Sequence, residues 1–83
     1  MKTDDIVRLA EFFSEHTALK ISTISTYAAN DGKWLTGLKE KTSGCTLRKA
    51  DNVVRWFDAN WPLDLEWPTS IQRPSLLENR RAI

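Results

Sequence analysis

Ile21-Ser22-Thr23-Ile24-Ser25-Thr26-Tyr27-Ala28-Ala29 is the stretch on whose conformation the fold turns. Its β-branched and hydroxyl residues are mediocre helix formers. As a strand, Leu19 and Ile21 alternate, but Ile24 then falls on the wrong face. As a helix, Ile21, Ile24, Tyr27 and Ala28 align at spacings of three and four. Ser22 then stands where an N-cap belongs, and Asn30-Asp31-Gly32 supplies a glycine stop. The spacing predicts the helix.

Upstream, residues 3–16 carry the clearest helical pattern. Thr3 is the expected N-cap, Asp4 and Asp5 complement the dipole of the first turn, and Ile6, Leu9, Ala10 and Phe13 form one apolar stripe. Residues 17–20 make a short connection. Downstream, residues 33–41 suggest a brief third helix with Trp34, Leu35 and Leu38 inward, weakened by Gly37. After a loop over 42–44, Thr46 caps a fourth helix ending near residue 60. In it Leu47, Ala50, Val54, Phe57 and Trp61 follow by three or four, and Val53 and Trp56 widen the apolar face. Pro62, Pro68 and Pro74, with the pairs Trp61-Pro62 and Trp67-Pro68, then stop helix and give an extended strap. Ser75-Leu76-Leu77-Glu78 fits a capping box for a last helical turn or two.

The fold expected from this pattern is all-α: a small four- to five-helix bundle with a helix-turn-helix and a Pro-rich C-terminal strap. Residues 1–61 would form the helix-turn-helix domain, and 62–83 the strap and short terminal helix.

Composition narrows the function. The 83 residues fit one domain, and 41% hydrophobic with 28% charged residues is the profile of a globular chain. No apolar run reaches membrane-spanning length and the start lacks a signal-peptide core, so a cytoplasmic protein with no membrane partner is expected. The single cysteine, Cys45, excludes an intramolecular disulfide and a multi-thiolate zinc site. Net charge is only +1, but the cations gather centrally. Lys20, Lys33, Lys39, Lys41, Arg48 and Lys49 face only Asp31 and Glu40 over residues 16–50, whereas both flanking stretches, 1–15 and 51–70, are net acidic. That distribution suits one anion-facing surface, or an ordinary solvated face.

Catalytic motifs are missing: there is no glycine-rich phosphate loop, nucleophile elbow, paired-histidine metal motif or CxxC. Cys45 and His16 could meet as a nucleophile pair. However, a lone cysteine is more often a small buried hydrophobe, and a lone histidine at a helix end more often a cap or surface residue. The expectation is a non-enzyme with no cofactor, no metal and no small-molecule substrate.

Residues 13–30 are the informative constellation. Phe13 and Leu19 are apolar, Ser14 and Ala18 are small where two backbones would approach, and Ile24 and Tyr27 are spaced to pack back from the second helix. Two helices crossing over a short turn need this arrangement, and it frees the outer face of the second helix to enter a major groove. On that face Ser22, Thr23, Ser25 and Thr26 can contact phosphates or base edges, while Lys20 before it and Lys33 after it meet the backbone. A Ser/Thr-rich surface helix with no partner is the alternative. The chain has Ala18 where glycine is more usual, and no Arg, Asn or Gln between residues 21 and 29 for bidentate base readout.

The segment 13–61 resembles the lambda-repressor-like helix-turn-helix regulators, the phage repressor and Cro class. The resemblance lies in Ser22-Thr23-Ile24-Ser25-Thr26-Tyr27, Asn30-Asp31-Gly32-Lys33 and Gly44-Cys45-Thr46, continuing to Val53-Val54-Arg55-Trp56-Phe57 and Asn60-Trp61-Pro62. That family normally has a helix ahead of the scaffold helix, and here few residues precede Thr3. The resemblance implies sequence-specific binding of double-stranded DNA as a homodimer in transcriptional control of a phage or bacterium. Lys20, Ser22, Thr23, Thr26 and Lys33 are the matching contact positions, with Lys39, Lys41, Arg48 and Lys49 adding nonspecific phosphate affinity.

A second class of function stays open: a protein–protein interaction module, an inhibitor or adaptor on the same scaffold, suits the near-neutral charge and the four tryptophans. Trp34 and Trp56 read as core. Trp61 and Trp67 either pin the strap or form a symmetric contact between two copies. Arg80 and Arg81 are either a phosphate-seeking arm or a solvated tail.

Overall fold

Four helices account for the secondary structure of the computed structural model, which describes residues 3–41 and 44–74: α1 (Thr3–Thr17), α2 (Ile21–Ala29), α3 (Trp34–Lys39) and α4 (Leu47–Asn60). The described residues are all-α. The terminal helical turn expected beyond Ser75, and Arg80 and Arg81, lie outside them. None of the helices is long and apolar enough to cross a membrane, among the described residues.

α1 forms where its pattern demands it. Asp4 and Asp5 occupy the first turn and His16 the last, and Ile6, Leu9, Ala10 and Phe13 are buried. α4 starts on Thr46, whose hydroxyl accepts the Lys49 amide at 3.1 Å, and it buries Ala50, Val53, Val54 and Phe57. Leu47 departs from the expected stripe: as the first helical residue it precedes the inward-turning face and stays 85% exposed. α3 is shorter than its pattern suggests, with Trp34, Leu35, Gly37 and Leu38 buried.

Each of the first three helices is followed by a residue with positive φ, and none of the three is glycine: Ala18 (φ 62°), Asn30 (φ 56°) and Lys41 (φ 63°). A left-handed residue lets the chain leave a helix while its amide still reaches back to the last turn, as the Asn30 amide does to the Thr26 carbonyl at 3.0 Å. The glycine stop expected from Asn30-Asp31-Gly32 is therefore an asparagine stop. Gly32 serves space instead: a Cβ there would stand 3.1 Å from Thr26 Oγ1.

The turn from α1 to α2 is held by hydroxyls. Ser14 Oγ donates to the Leu19 carbonyl at 2.5 Å. Thr17 Oγ1 donates to the Phe13 carbonyl at 2.6 Å and accepts the Leu19 amide at 3.4 Å. Between them the two hydroxyls engage three backbone groups, the Phe13 carbonyl and both the amide and the carbonyl of Leu19, so the turn is fixed by local chemistry.

Beneath the turn an aromatic column joins the elements. Phe13 lies with its ring centroid 5.3 Å from Trp56, 5.6 Å from Phe57 and 5.9 Å from Trp61. Trp61 in turn meets Trp67 edge-on at 4.9 Å. The indole N–H of Trp61 donates to the Leu65 carbonyl and that of Trp67 to the Ile71 carbonyl, both at 2.8 Å. Both indoles are thus buried and bonded within their own chain. Outside the core, Asp64 meets His16 Nε2 at 3.0 Å and Ser70 accepts from Arg8 at 3.3 Å. Arg73 stacks 5.1 Å from the Trp67 ring and donates to Asp58 at 2.6 Å. The segment after α4 therefore returns along α1, from its last turn toward its first.

Ala18 carries a conformation that L-residues adopt at a cost of about 1–2 kcal/mol and glycine adopts freely. Because Ala18 is exposed and loses no packing, Ala18→Gly should leave the protein as stable or raise its unfolding free energy by up to about 1 kcal/mol in urea denaturation. A loss above about 1 kcal/mol would show that the turn is not held this way.

Candidate functional site

The surface that the sequence singled out is the outer side of α2. The helix opens on Lys20, in extended conformation (φ −70°, ψ 149°), with no side chain capping its first amides. Ser22, expected to be the N-cap, lies inside the first turn instead. No acidic residue stands in that first turn, in contrast to α1, so the positive end of the α2 dipole is left uncompensated.

Inward, α2 buries Ile24, Ser25 and Ala29, with Ile21 and Ala28 half-buried beside them. Ser25 is a correction to the outward hydroxyl face: its side chain is fully buried. Its Oγ donates to the Asp31 carbonyl and accepts the Leu35 amide at 3.0 Å, joining α2, the following turn and α3 through one atom. Asp31 extends the lock, its carboxylate accepting the Lys33 amide at 3.0 Å and its carbonyl the Trp34 amide at 3.3 Å. A hydroxyl with both capacities used suits a buried position, where an unpaired polar group is costly.

Outward, Ser22 and Thr26 are exposed and Thr23 is half-buried. Thr26 Oγ1 donates to the Ser22 carbonyl at 3.0 Å, one turn back on its own helix, so this hydroxyl offers a ligand its lone pairs rather than its hydrogen. The close approach of Gly32 to Thr26 brings the 31–33 turn along the Ser22–Thr26 edge, and Lys33 emerges beside it. Lys20 and Lys33 are both exposed, and neither ammonium has a partner among the described residues. Lys20 stands at the start of the helix, and Lys33 follows the turn that lies against its Ser22–Thr26 edge.

Tyr27 overturns a second expectation. Spacing placed it against the core, yet it is 60% exposed, its ring 6.5 Å from that of Trp56 on α4. Trp56 is itself only half-buried. Tyr27 and Ser25 went wrong for a single reason. Counting only apolar residues puts the core direction between Ile21, Ile24 and Ala28. With Ser25 and Ala29 also inside, that direction shifts by roughly a tenth of a turn at about 100° per residue, bringing Ser25 in and swinging Tyr27 out. The usable sign was Ala29, a small apolar residue four positions after Ser25.

The remaining cations divide. Lys49 Nζ lies 5.6 Å from the Trp34 ring centroid, next in sequence to Lys33, which gathers the starts of α3 and α4 on one side. Lys41 and Arg48 are exposed, while Lys39 is drawn to Glu11 of α1 at 3.6 Å. His16 meets Asp64, and Cys45 has its contact with the Thr46 carbonyl at 3.7 Å; the two are not bonded to each other.

Comparison with protein-family models, with curated proteins and with solved structures finds no match to this chain.

Replacing Ser25 by Ala should leave the Leu35 amide unsatisfied in the interior and lower the unfolding free energy by about 1–3 kcal/mol. Urea denaturation measures this directly. A loss below about 0.5 kcal/mol, the usual effect of a surface change, would show that the hydroxyl does not hold α2 in place.

Proposed function

We propose that this chain binds double-stranded DNA through the outer face of α2, with α1 and α2 acting as the two arms of a helix-turn-helix, and that it serves as a transcriptional regulator of the phage or bacterial type. One observation carries the reading: Ser22, Thr23 and Thr26 lie on a helix backed by a fixed interior and bracketed by the unpaired ammonium groups of Lys20 and Lys33. A B-DNA major groove about 12 Å wide admits one helix, and short hydroxyl side chains allow its backbone to come close to base edges. The two lysines lie where the phosphate strands would run. The uncompensated start of α2 adds partial positive charge at the same place.

The C-terminal segment supports the reading from the other side. Its contacts go to α1 through His16 and Arg8 and to α4 through Asp58. As a strap it braces the scaffold and leaves the outer face of α2 open among the described residues.

Selection of bound duplexes from a random pool at low salt tests the proposal. Enrichment of a defined sequence is expected, and an inverted repeat would indicate two copies. Lys20→Ala and Lys33→Ala should weaken binding to every duplex and each reduce the salt slope by about one. Thr23→Ala should instead change the preferred sequence. Failure to retain any duplex below about 100 µM, where nonspecific binders normally engage, would contradict the proposal and favour a protein partner for the same scaffold.

A further inference from the structure

Within α2, Tyr27 has the longest side chain on the outward side, and nothing in the fold uses its hydroxyl: among the described residues no group accepts from it. We infer that Tyr27 sets the depth and tilt of α2 on a duplex by donating its phenolic hydrogen to a phosphate oxygen of the strand on the α4 side. The inference rests on the DNA-binding reading and adds a positioning contact that carries no sequence information.

Three observations bear on it. First, angular position: Thr23 stands near the middle of the outward arc, Ser22 and Thr26 on one flank, and Lys20 and Tyr27 together on the other, at about 100° per residue. A helix lying in a groove meets bases with its middle and phosphates with its flanks, so Tyr27 shares a phosphate-facing edge with a lysine. Second, reach: a phenol extends well beyond the neighbouring hydroxyl side chains. Pointed at the groove floor it would hold Thr23 off the bases, whereas on the flank it spans the distance to the backbone. Trp56 draws it to that flank, the two rings 6.5 Å apart and 32° from parallel.

Third, rigidity. Trp56 is itself wedged between Phe13 and Phe57, each with its centroid 5.3 Å away. Tyr27 thus stands against a column of rings continuous with the core, and that contact limits the side-chain freedom it would lose on binding. Tyrosine combines a large apolar body with a polar tip, which is the combination this flank requires.

The contact has a signature different from that of a lysine. A neutral donor releases no counterion, so its loss lowers affinity without changing the salt slope. Full-length Tyr27→Phe retains the ring against Trp56 and should keep the thermal midpoint of the parent. In fluorescence anisotropy titrations it should bind both a pool-selected duplex and a random duplex about tenfold more weakly, with the same factor on each. Affinity equal to the parent's would overturn the inference while leaving the DNA reading intact. A loss confined to the selected duplex would make Tyr27 a base contact, and a loss accompanied by a lower thermal midpoint would make it a packing residue; both overturn the phosphate role. If the parent itself retains no duplex, the DNA reading fails and this inference fails with it.

Discussion

The buried hydroxyl of Ser25 ties α2 to the chain that follows it, donating to the Asp31 carbonyl while accepting the Leu35 amide. Much else depends on that bracket. It fixes the rotation of α2 about its own axis, and so determines which residues meet solvent. It holds the 31–33 turn against the Ser22–Thr26 edge, where only glycine at position 32 fits comfortably. It delivers Lys33 beside that edge, while Lys20 stands at the start of the helix. A hydrophobic contact in the same place would bury area but would tolerate rotation; two directional bonds on one atom do not.

Behind α2, aromatic packing joins α1, α4 and the C-terminal segment beside an aliphatic core of Ile6, Leu9, Ile24, Leu35 and Val53. Phe13, Trp56, Phe57, Trp61 and Trp67 run as a column of edge and tilted contacts, and the indole N–H groups of Trp61 and Trp67 close loops in the C-terminal segment. Rings of this kind bury about 150–250 Å² each and add orientation to burial. The column has two ends with different roles. One, at Trp67 and Ile71, anchors the returning segment beside α1. The other, at Trp56 and Tyr27, reaches the surface next to the outward side of α2 and connects the scaffold to the proposed interface.

How much of this was legible before the structure depended on where periodicity alone was sufficient. α1 and α4 were, because Ile6, Leu9, Ala10 and Phe13, and then Ala50, Val54 and Phe57, are strongly apolar at unbroken helical spacing. The Thr46 cap followed from position. α2 as a helix was legible, but its rotation was not. Burial of Ser25 depends on partners six and ten residues away, and its one local sign, Ala29 four positions on, is too weak beside Ile21, Ile24 and Ala28; Tyr27 was misplaced as a consequence. The end of α2 was misread for a related reason. Gly32 was taken as its stop, while the fold sets Asn30 in the left-handed position, as it sets Ala18 after α1 and Lys41 after α3, and lets the turn's hydrogen bonds offset the strain.

The central claim is that the outward side of α2, oriented by Ser25, is the face that meets DNA. Backbone amide resonances of the isotopically labelled protein, followed while a pool-selected duplex is added, test this most directly. Shifts concentrated at residues 20–27 and at Lys33, with Arg8, Asp64 and Ser70, where the C-terminal segment meets α1, unmoved, are the predicted result. Shifts centred on α1 and the C-terminal segment, or none at a concentration of duplex that saturates any binding, would contradict it.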